Sequence, residues 1–500
     1  MSGPNPLIAA LLSAVIPGIG HLYAGDRDRG RRFLMVTGFI VAPLFLVFVL
    51  IFFWKGIGLA ITISRPFFDH PVLLALLLVA NALLLVFRAF VVLDSYYVAT
   101  RAGGTTDHGR MTAAVGIGLV FLMFLTLIPH GWAGRRNLAL YDLMTYDFTT
   151  DEGQQAISSG TTEPGDGTGS TLAPPATVTT DATTETTEPR PDPFSGLDRI
   201  NVLLLGGDSG VDREGIRTDT MIVVSIDPVT GWTAMLSVPR NNMNVPYPET
   251  LPAYNAYDCH CNPQLLNLLY GWAFDHPDLF PGESNPGGVA MKETLGHMLG
   301  IDIHYFALVD LFGFVDVIDA LGGVAINVTE RVLDENYPHE DGTREVIDIP
   351  VGLQEMDGHT ALAYARIRAL TDDYNRMGRQ RCVIEALAEQ SDPVELISEL
   401  PNLVPSIKDS IVTDIPVANF PDFIELLMVA DLETIVSIRF IFDAPEFAGT
   451  STSYVKEWYG EGYPVPDLDL IQQTTATALS MSPADAIASL NLQPLEDVCG

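Results

Sequence analysis

Residues 33–54, FLMVTGFIVAPLFLVFVLIFFW, run for 22 residues without one charged side chain. A run of that length crosses the roughly 30 Å hydrocarbon core of a bilayer as a helix. Two more follow: PVLLALLLVANALLLVFRAFVVL at 71–93 and MTAAVGIGLVFLMFLTLIP at 111–129. In the first of these Arg88 lies near one end, where it can snorkel. The three runs predict an α-helical membrane domain over 1–130, with a juxtamembrane segment over 131–149. An earlier apolar stretch, 7–23, is broken by Pro17, Gly18 and Gly20, so it spans, re-enters or lies at the interface. It lacks the basic start and small-residue cleavage site of a secretory signal and is expected to stay on the chain.

Four arginines, Arg27, Arg29, Arg31 and Arg32, directly precede the first run. Basic loops stay on the cytoplasmic side. Three crossings later, everything after residue 130 is expected outside the cell. The protein is therefore expected in the cell membrane as a multi-pass chain with an extracytoplasmic domain. Residues 150–196 are of another composition: Thr, Gly, Pro and acids, with almost no large apolar side chain. Such a segment buries too little surface to offset its ordering entropy and reads as a disordered spacer.

Residues 197–500 read as a globular unit. RINVLLLGGDS (199–209), DTMIVVSIDP (219–228) and GWTAMLSVPR (231–240) are strand-like runs. NPGGVAMKETLGHMLG (285–300) is helical, and HYFALVDLFGFVDVIDALGG (304–323) is a strand leading into a helix. VAINV follows as a strand, DGHTALAYARIR (357–368) opens a helix, and RFIFDAP (439–445) is a late strand. Strands mixed with helices predict an α/β fold, with a layered central mixed sheet and helices on both faces. The four cysteines, Cys259, Cys261, Cys382 and Cys499, all lie in this part. Outside the cell an even number favours disulfides over a metal site built on CHC, which has no second ligand pair nearby. Three pairings are open; Cys259–Cys261 with Cys382–Cys499 is one.

The chain carries 27 Lys+Arg against 62 Asp+Glu, a net charge of −35. That excludes nucleic acid as a general partner, since phosphate-backbone binding needs a basic face. Yet YARIRALTDDYNRMGRQRCVIEAL (364–387) holds Arg366, Arg368, Arg376, Arg379 and Arg381. Only Asp372, Asp373 and Glu385 stand near enough in sequence to offset them. Arg376, Arg379 and Gln380 are at helical spacing, and Arg366 and Arg368 at the same-face spacing of extended chain. Guanidinium forks suit phosphate oxygens, so the cluster predicts a pyrophosphate or phosphodiester site. The alternative is a structural ion-pair network. Asp208 and Asp219 flank the loop of GGDSGVDREGIRTDT, with Arg217 beside them, and Arg240 ends SVPR. Two carboxylates beside a phosphate site suit magnesium. LLLGGDSG is not a P-loop, because no Lys-Ser/Thr follows its glycines. The runs FALVDLFGFVDVIDALGG and CVIEALAEQ line an apolar groove or simply fill a core, and core is the commoner fate.

These segments together resemble the LytR–CpsA–Psr family: NVLLLGGD…RTDTMIVVSID…SVPR, then LVDLFGFVDVIDALGGVAINV, then GLQEMDGHTALAYARIR…DDYNRMGRQR, over about 200–390. The resemblance implies a membrane-anchored extracytoplasmic enzyme. Such an enzyme moves a glycopolymer from a polyprenyl-pyrophosphate carrier to peptidoglycan as a phosphodiester, with magnesium. It implies pyrophosphate contacts at Arg240, Arg366, Arg368, Arg376 and Gln380, with Arg217 beside the acidic positions, and the arginine cluster itself adds Arg379. It also implies metal ligands at Asp208 and Asp219, and catalytic roles for Asp219, Arg240 and Asp373. Two features depart from the family pattern. Asn241 stands where the family commonly has an acid, so that acid's role would pass to Asp219 or Asp373. The family often has one membrane helix, and this chain has three or four apolar runs. Two competing readings are a non-catalytic regulator that binds lipid-linked intermediates and a polyprenyl-pyrophosphate pyrophosphatase.

Overall fold

The computed structural model describes residues 3–50, 64–103, 113–146, 148, 192–208, 216–282, 285–338, 343–368, 373–390, 410–448, 450–460, 462–492 and 499. The chain divides into two compact units, Met1–Tyr146 and Asp147–Glu399 with Pro405–Gly500, apart from a short stretch assigned to the first. The spacer expected over 150–196 lies outside the described residues as far as residue 191.

The first unit is helical. Its first helix, α1 (Pro6–Val15), starts at Asn5, whose side-chain oxygen accepts from the backbone N–H of Leu7 and Ile8. It stops before Pro17, and Gly18 turns the chain through φ 105° into α2 (Ile19–Tyr23). At 1.5 Å per residue α1 reaches only about 15 Å, so the 7–23 stretch does not cross a bilayer as one helix. Next come α3 (Arg27–Leu50), α4 (Val72–Ala102) and α5 (Ala113–Thr145). Among the described residues, α4 and the Gly116–Thr145 part of α5 are long and apolar enough to cross a membrane. The run at 33–54 continues from α3 into residues outside the described set. The helix holding 111–129 begins within that run and extends well past its end, through Pro129. The Arg88 guanidinium donates to the Ala14 carbonyl at 2.6 Å, one of the carbonyls left open where α1 breaks.

The second unit is built on a six-stranded mixed sheet. In chain order its leading strands are β1 (Ile200–Asp208), β2 (Arg217–Ile226) and β3 (Trp232–Ser237), followed by a short ribbon of β4 (Val245–Pro246) and β5 (Cys261–Asn262). Helices α6 (Leu269–Asp275) and α7 (Pro286–Leu299) lead to β6 (Tyr305–Asp310) and α8 (Leu311–Ala320). Two small ribbons follow, from β7 (Val324–Val328), β8 (Val332–Pro338), β9 (Arg344–Ile349) and β10 (Gly352–Met356). Then come α9 (Gly358–Arg366), α10 (Asp373–Gln390), β11 (Ile411–Thr413), α11 (Phe420–Val429) and β12 (Asp431–Arg439). The chain ends with a hairpin of β13 (Val455–Tyr459) and β14 (Tyr463–Pro466), then α12 (Leu468–Ser480) and α13 (Pro483–Leu490). The sheet order is β11-β6-β1-β2-β3-β12. β1 runs parallel to β6 and β3 to β12, while the other pairs are antiparallel.

Strand alternation sends side chains to two layers of helices. Leu203, Leu205, Met221, Val223 and Leu236 pack with Leu295, Met298 and Ile471 on one face. On the other, Ile222 and Met235 meet Ile384 of α10, while Ile200 and Ile226 meet Leu426 of α11. A second core joins α8, β7–β10 and α9 through Ile318, Ile326, Tyr337, Ile349 and Ile367. The expected strand at 439–445 is corrected: β12 ends at Arg439. Its continuous pairing with β3 is made by VSIR (436–439), and the apolar RFIF that suggested a strand leaves the sheet at its end.

Both disulfides are closed, Cys259–Cys261 and Cys382–Cys499, with sequence separations of 2 and 117. On the chain-entropy scale the long loop contributes roughly 5 kcal/mol of stability and the short one less than about 2 kcal/mol.

Candidate functional site

The site forms where β1, β2 and β3 end. A register shift at Gly206/Gly207 sets Asp208 opposite Arg217 at the mouth of the β1–β2 hairpin. Gly206 is required there, because a Cβ would meet the Thr220 side chain at 2.9 Å. Two residues on, Asp219 points toward the end of β3, and Arg240 follows that strand. The Arg240 guanidinium forms a close ion pair with Asp219. Its other nitrogen reaches Asp373 at 3.1 Å.

Asp373 opens α10 and acts as the hub. It also accepts two 3.2 Å bonds from Arg376 and lies 3.8 Å from Arg368. Burial alone would raise the Asp373 carboxyl, but the Arg376 and Arg240 charges outweigh it and hold it below the usual carboxylate range. Arg376 is only 4% exposed, and burial lowers its own pKa against the pull of Asp373. The remaining arginines approach from α9. Arg366 is its last residue; it lies 3.7 Å from Asp208 and donates to the Tyr337 hydroxyl at 3.4 Å. Ile367 then turns extended, at φ −60° and ψ 135°, and Arg368 follows at the more exposed rim. Gln380 donates to the Ala365 carbonyl at 3.4 Å.

Asp208, Arg217, Asp219, Arg240, Arg366, Arg368, Arg376 and Gln380 all line one cleft of about 920 Å³. The structure does not bring Arg379 to that cleft. Its Nε donates to the Tyr364 carbonyl at 2.7 Å and its Nη2 to that of Ile367, so it caps the open end of α9. The reason is angular: Arg376 and Gln380 are four apart and share a stripe, while Arg379 is turned about 100° from Gln380. Away from the arginines the cleft is apolar. Leu204, Ala307, Val309, Phe314, Val317, Leu362, Ile384 and Leu387 line it. The groove expected from FALVDLFGFVDVIDALGG and CVIEALAEQ therefore draws on both runs, although Ile318 and Val383 are core as well.

Three lining residues escaped the sequence reading. Asn267 sits in a 3₁₀ turn whose backbone N–H meets the Arg240 carbonyl at 3.1 Å, and its side chain donates to Asp219 at 2.9 Å. Tyr337 comes from β8 and faces Arg366, its ring centre 5.9 Å from the guanidinium. Asp310 ends β6, opposite Gly207, and caps α8 by accepting from Gly313 N–H at 2.7 Å. Burial pushes its carboxyl up to about 6. Only Asp310 carried a local signal, as an Asx residue before a helix. Among the described residues no group of three or more His, Cys, Asp or Glu converges as a metal site. The cleft nevertheless offers oxygen donors: Asp208, Asp219, and the Asn241 Oδ1, which is buried with no hydrogen-bond partner.

The fold and the cleft define a class: an α/β domain whose mixed sheet ends in an arginine-rich mouth over an apolar cleft. The chain belongs to the LytR–CpsA–Psr family, whose sequence model matches residues 173–454. Among curated proteins it is 28% identical over 225 residues to the polyisoprenyl-teichoic acid–peptidoglycan teichoic acid transferase TagU of Halalkalibacterium halodurans. That match covers 44% of this chain and 63% of TagU. It is 28% identical over 227 residues to the regulatory protein MsrR of Staphylococcus aureus, covering 45% of this chain and 59% of MsrR. The chain thus spans about three fifths of the length of these relatives. Among solved structures, TagV of B. subtilis aligns with a TM-score of 0.40 at 21% identity, over 59% of this chain and 99% of TagV.

Proposed function

We propose that the second unit transfers a glycopolymer from a polyprenyl-pyrophosphate carrier to peptidoglycan. The observation that supports this most directly is one cleft lined both by arginines and by apolar side chains. A pyrophosphate needs the first and a prenyl tail the second. Relatives named as teichoic acid–peptidoglycan transferases agree with the reading.

In this reading Arg240, Arg366 and Arg376 bind the two phosphates and neutralise charge in the loose transition state. Arg217 and Arg368 orient the phosphate at the rim, and Gln380 does so from deeper in the cleft. A peptidoglycan hydroxyl attacks the phosphorus attached to the sugar. The new P–O bond forms as the bond to the bridging oxygen breaks, and polyprenyl phosphate leaves. Asp219 lies at the end of the sheet beside Arg240, placed to take the hydroxyl proton. Asp373 keeps its negative charge and holds three arginines in place, a positioning part rather than a base. The oxygen donors Asp208, Asp219 and Asn241 fit magnesium, which takes one or two carboxylates together with phosphate oxygens. When bound it would supply further neutralisation of phosphate charge. The first unit anchors the chain, and we assign it several crossings with the second unit outside the cell.

Full-length chain in lipid nanodiscs, given a lipid-pyrophosphate glycan, magnesium and peptidoglycan, tests the proposal. Phosphodiester-linked glycan with one polyprenyl phosphate released per bond is expected. Free glycan phosphate without linkage would make the protein a pyrophosphatase. Tight substrate binding without product would make it a regulator.

A further inference from the structure

We propose that Cys259–Cys261 is a thiol–disulfide exchange site for a protein dithiol, while Cys382–Cys499 is structural. The inference that exchange alters transfer rests on the function proposed above. The exchange itself does not.

The two bonds differ in access and in the loop they close. Each has one buried cysteine, Cys261 or Cys382, but the partner Cys259 is exposed whereas the partner Cys499 is half-buried. The first bond closes a three-residue ring and the second a long loop, so only the second constrains the unfolded chain strongly. Inside the small ring His260 takes φ 53°, a left-handed conformation that non-glycine residues adopt reluctantly. The turn is held by its imidazole, stacked on Tyr254 at 4.1 Å with Nδ1 2.8 Å from the Tyr254 carbonyl. Exposed or strained disulfides are the labile ones.

Exposure also sets the order of events. The thiolate of the dithiol attacks the Cys259 sulfur, and the Cys259–Cys261 bond breaks. Cys261, 3% exposed, leaves as the thiolate and takes a proton. The second thiol of the partner then attacks the mixed disulfide and releases Cys259. Two electrons and two protons pass to this chain, and the dithiol becomes a disulfide.

The bond is also close in chain path to the site. Cys261 pairs with Pro246 in the β4–β5 ribbon, whose outer ends run back to Arg240 and on to Asn267. Those two residues are tied by the 3.1 Å backbone bond, and Asn267 holds Asp219. Opening the ring removes the covalent tie across the His260 turn, leaving it to the contacts with Tyr254, and loosens the ribbon that presents Asn267.

The test uses full-length chain in nanodiscs, titrated with dithiothreitol under native conditions. Free thiols are alkylated and each pair is quantified by peptide mass spectrometry. Cys259 and Cys261 should label at a reductant level at least about tenfold below that needed for Cys382 and Cys499. Joint labelling, or labelling of 259 and 261 only as the chain melts, overturns the proposal. A Cys259→Ser/Cys261→Ser variant should transfer at the rate of the reduced wild type, with or without reductant. A rate equal to that of the oxidised wild type would sever the link to the site. If the wild type transfers nothing, the function proposed above fails while the alkylation result still decides the exchange.

Discussion

The Arg240 guanidinium and the Asp373 carboxylate meet at 3.1 Å although they arrive on separate elements, one from the end of β3 and one from the start of α10. This contact makes a single charged cluster from two distant stretches of sequence. It ties Arg240 to the same carboxylate that anchors Arg376 within α10. Asp373→Asn keeps the side chain's shape and removes the charge. Arg376, nearly buried, then loses its ion partner. Breaking a fully buried pair costs 3–5 kcal/mol; Asp373 keeps one fifth of its side chain exposed, so we expect about 2–3 kcal/mol in chemical denaturation.

The same residue predicts a pH dependence. The folded-state pKa of Asp373 is depressed, so its contribution is present above the unfolded value of about 3.9 and is lost as pH falls through the folded one. Wild type should lose stability below about pH 4 more steeply than Asp373→Asn. Parallel curves from thermal melts between pH 3 and pH 6 would contradict the assignment.

Asp310 should behave in the opposite sense. Its folded-state pKa is raised to about 6 from 3.8, so its favourable contribution is complete below the unfolded value and lost as pH rises through 6. The difference corresponds to a penalty on the order of 2–3 kcal/mol above pH 6. Asp310→Asn keeps the cap on Gly313 and removes the titration. The variant should therefore gain stability relative to wild type between pH 4 and pH 7, read as a widening gap in melting temperature. A constant gap across that range would show that Asp310 does not titrate there.

Much of this architecture was legible in the chain. Strands such as VLLLGGD and TAMLS are short apolar runs closed by Gly or Pro, and local sterics specify them without help. The arginine run also announced itself, because a local positive surplus in an acidic protein has few structural explanations. What sequence did not carry was long-range pairing. Asn267 is an ordinary loop residue until the β4–β5 ribbon folds it onto Asp219. Arg379 is indistinguishable from Arg376 by composition, and only the helical angle separates a cleft-lining guanidinium from one capping α9. The break at Pro17–Gly18 was visible, but that Arg88 would satisfy the carbonyl it opens was not.

That distinction gives a further expectation. Arg376→Met should reduce transfer by at least about 100-fold, the scale for removing a preorganised electrostatic contact. Arg379→Met removes two bonds to backbone carbonyls and should cost about 1–2 kcal/mol of stability. Its transfer rate at saturating substrate should stay within about tenfold of wild type, since the residue acts only through the placement of Arg366 and Arg368. Equal losses in kcat for both variants would place Arg379 at the reacting phosphates after all.

The apolar part of the cleft can be separated from the charged part by filling it. Val317, on α8, lines the cleft with Phe314 and Leu387 and is only partly buried, so a larger side chain there enters the open volume rather than the close-packed core. Val317→Trp should occupy space that a prenyl tail needs while leaving every arginine contact in place. Burial of a tail contributes about 0.8 kcal/mol per methylene, so excluding even two methylenes weakens binding by roughly tenfold. We therefore expect a rise of tenfold or more in the Kd for a long-chain prenyl pyrophosphate, with binding of inorganic pyrophosphate unchanged. Both are measurable by calorimetry on the same preparation. Loss of both ligands would mean that the substitution had disturbed α8 and the Asp310 cap beneath it. Retention of both would mean that the tail lies elsewhere, and the cleft would then be a site for the head group alone.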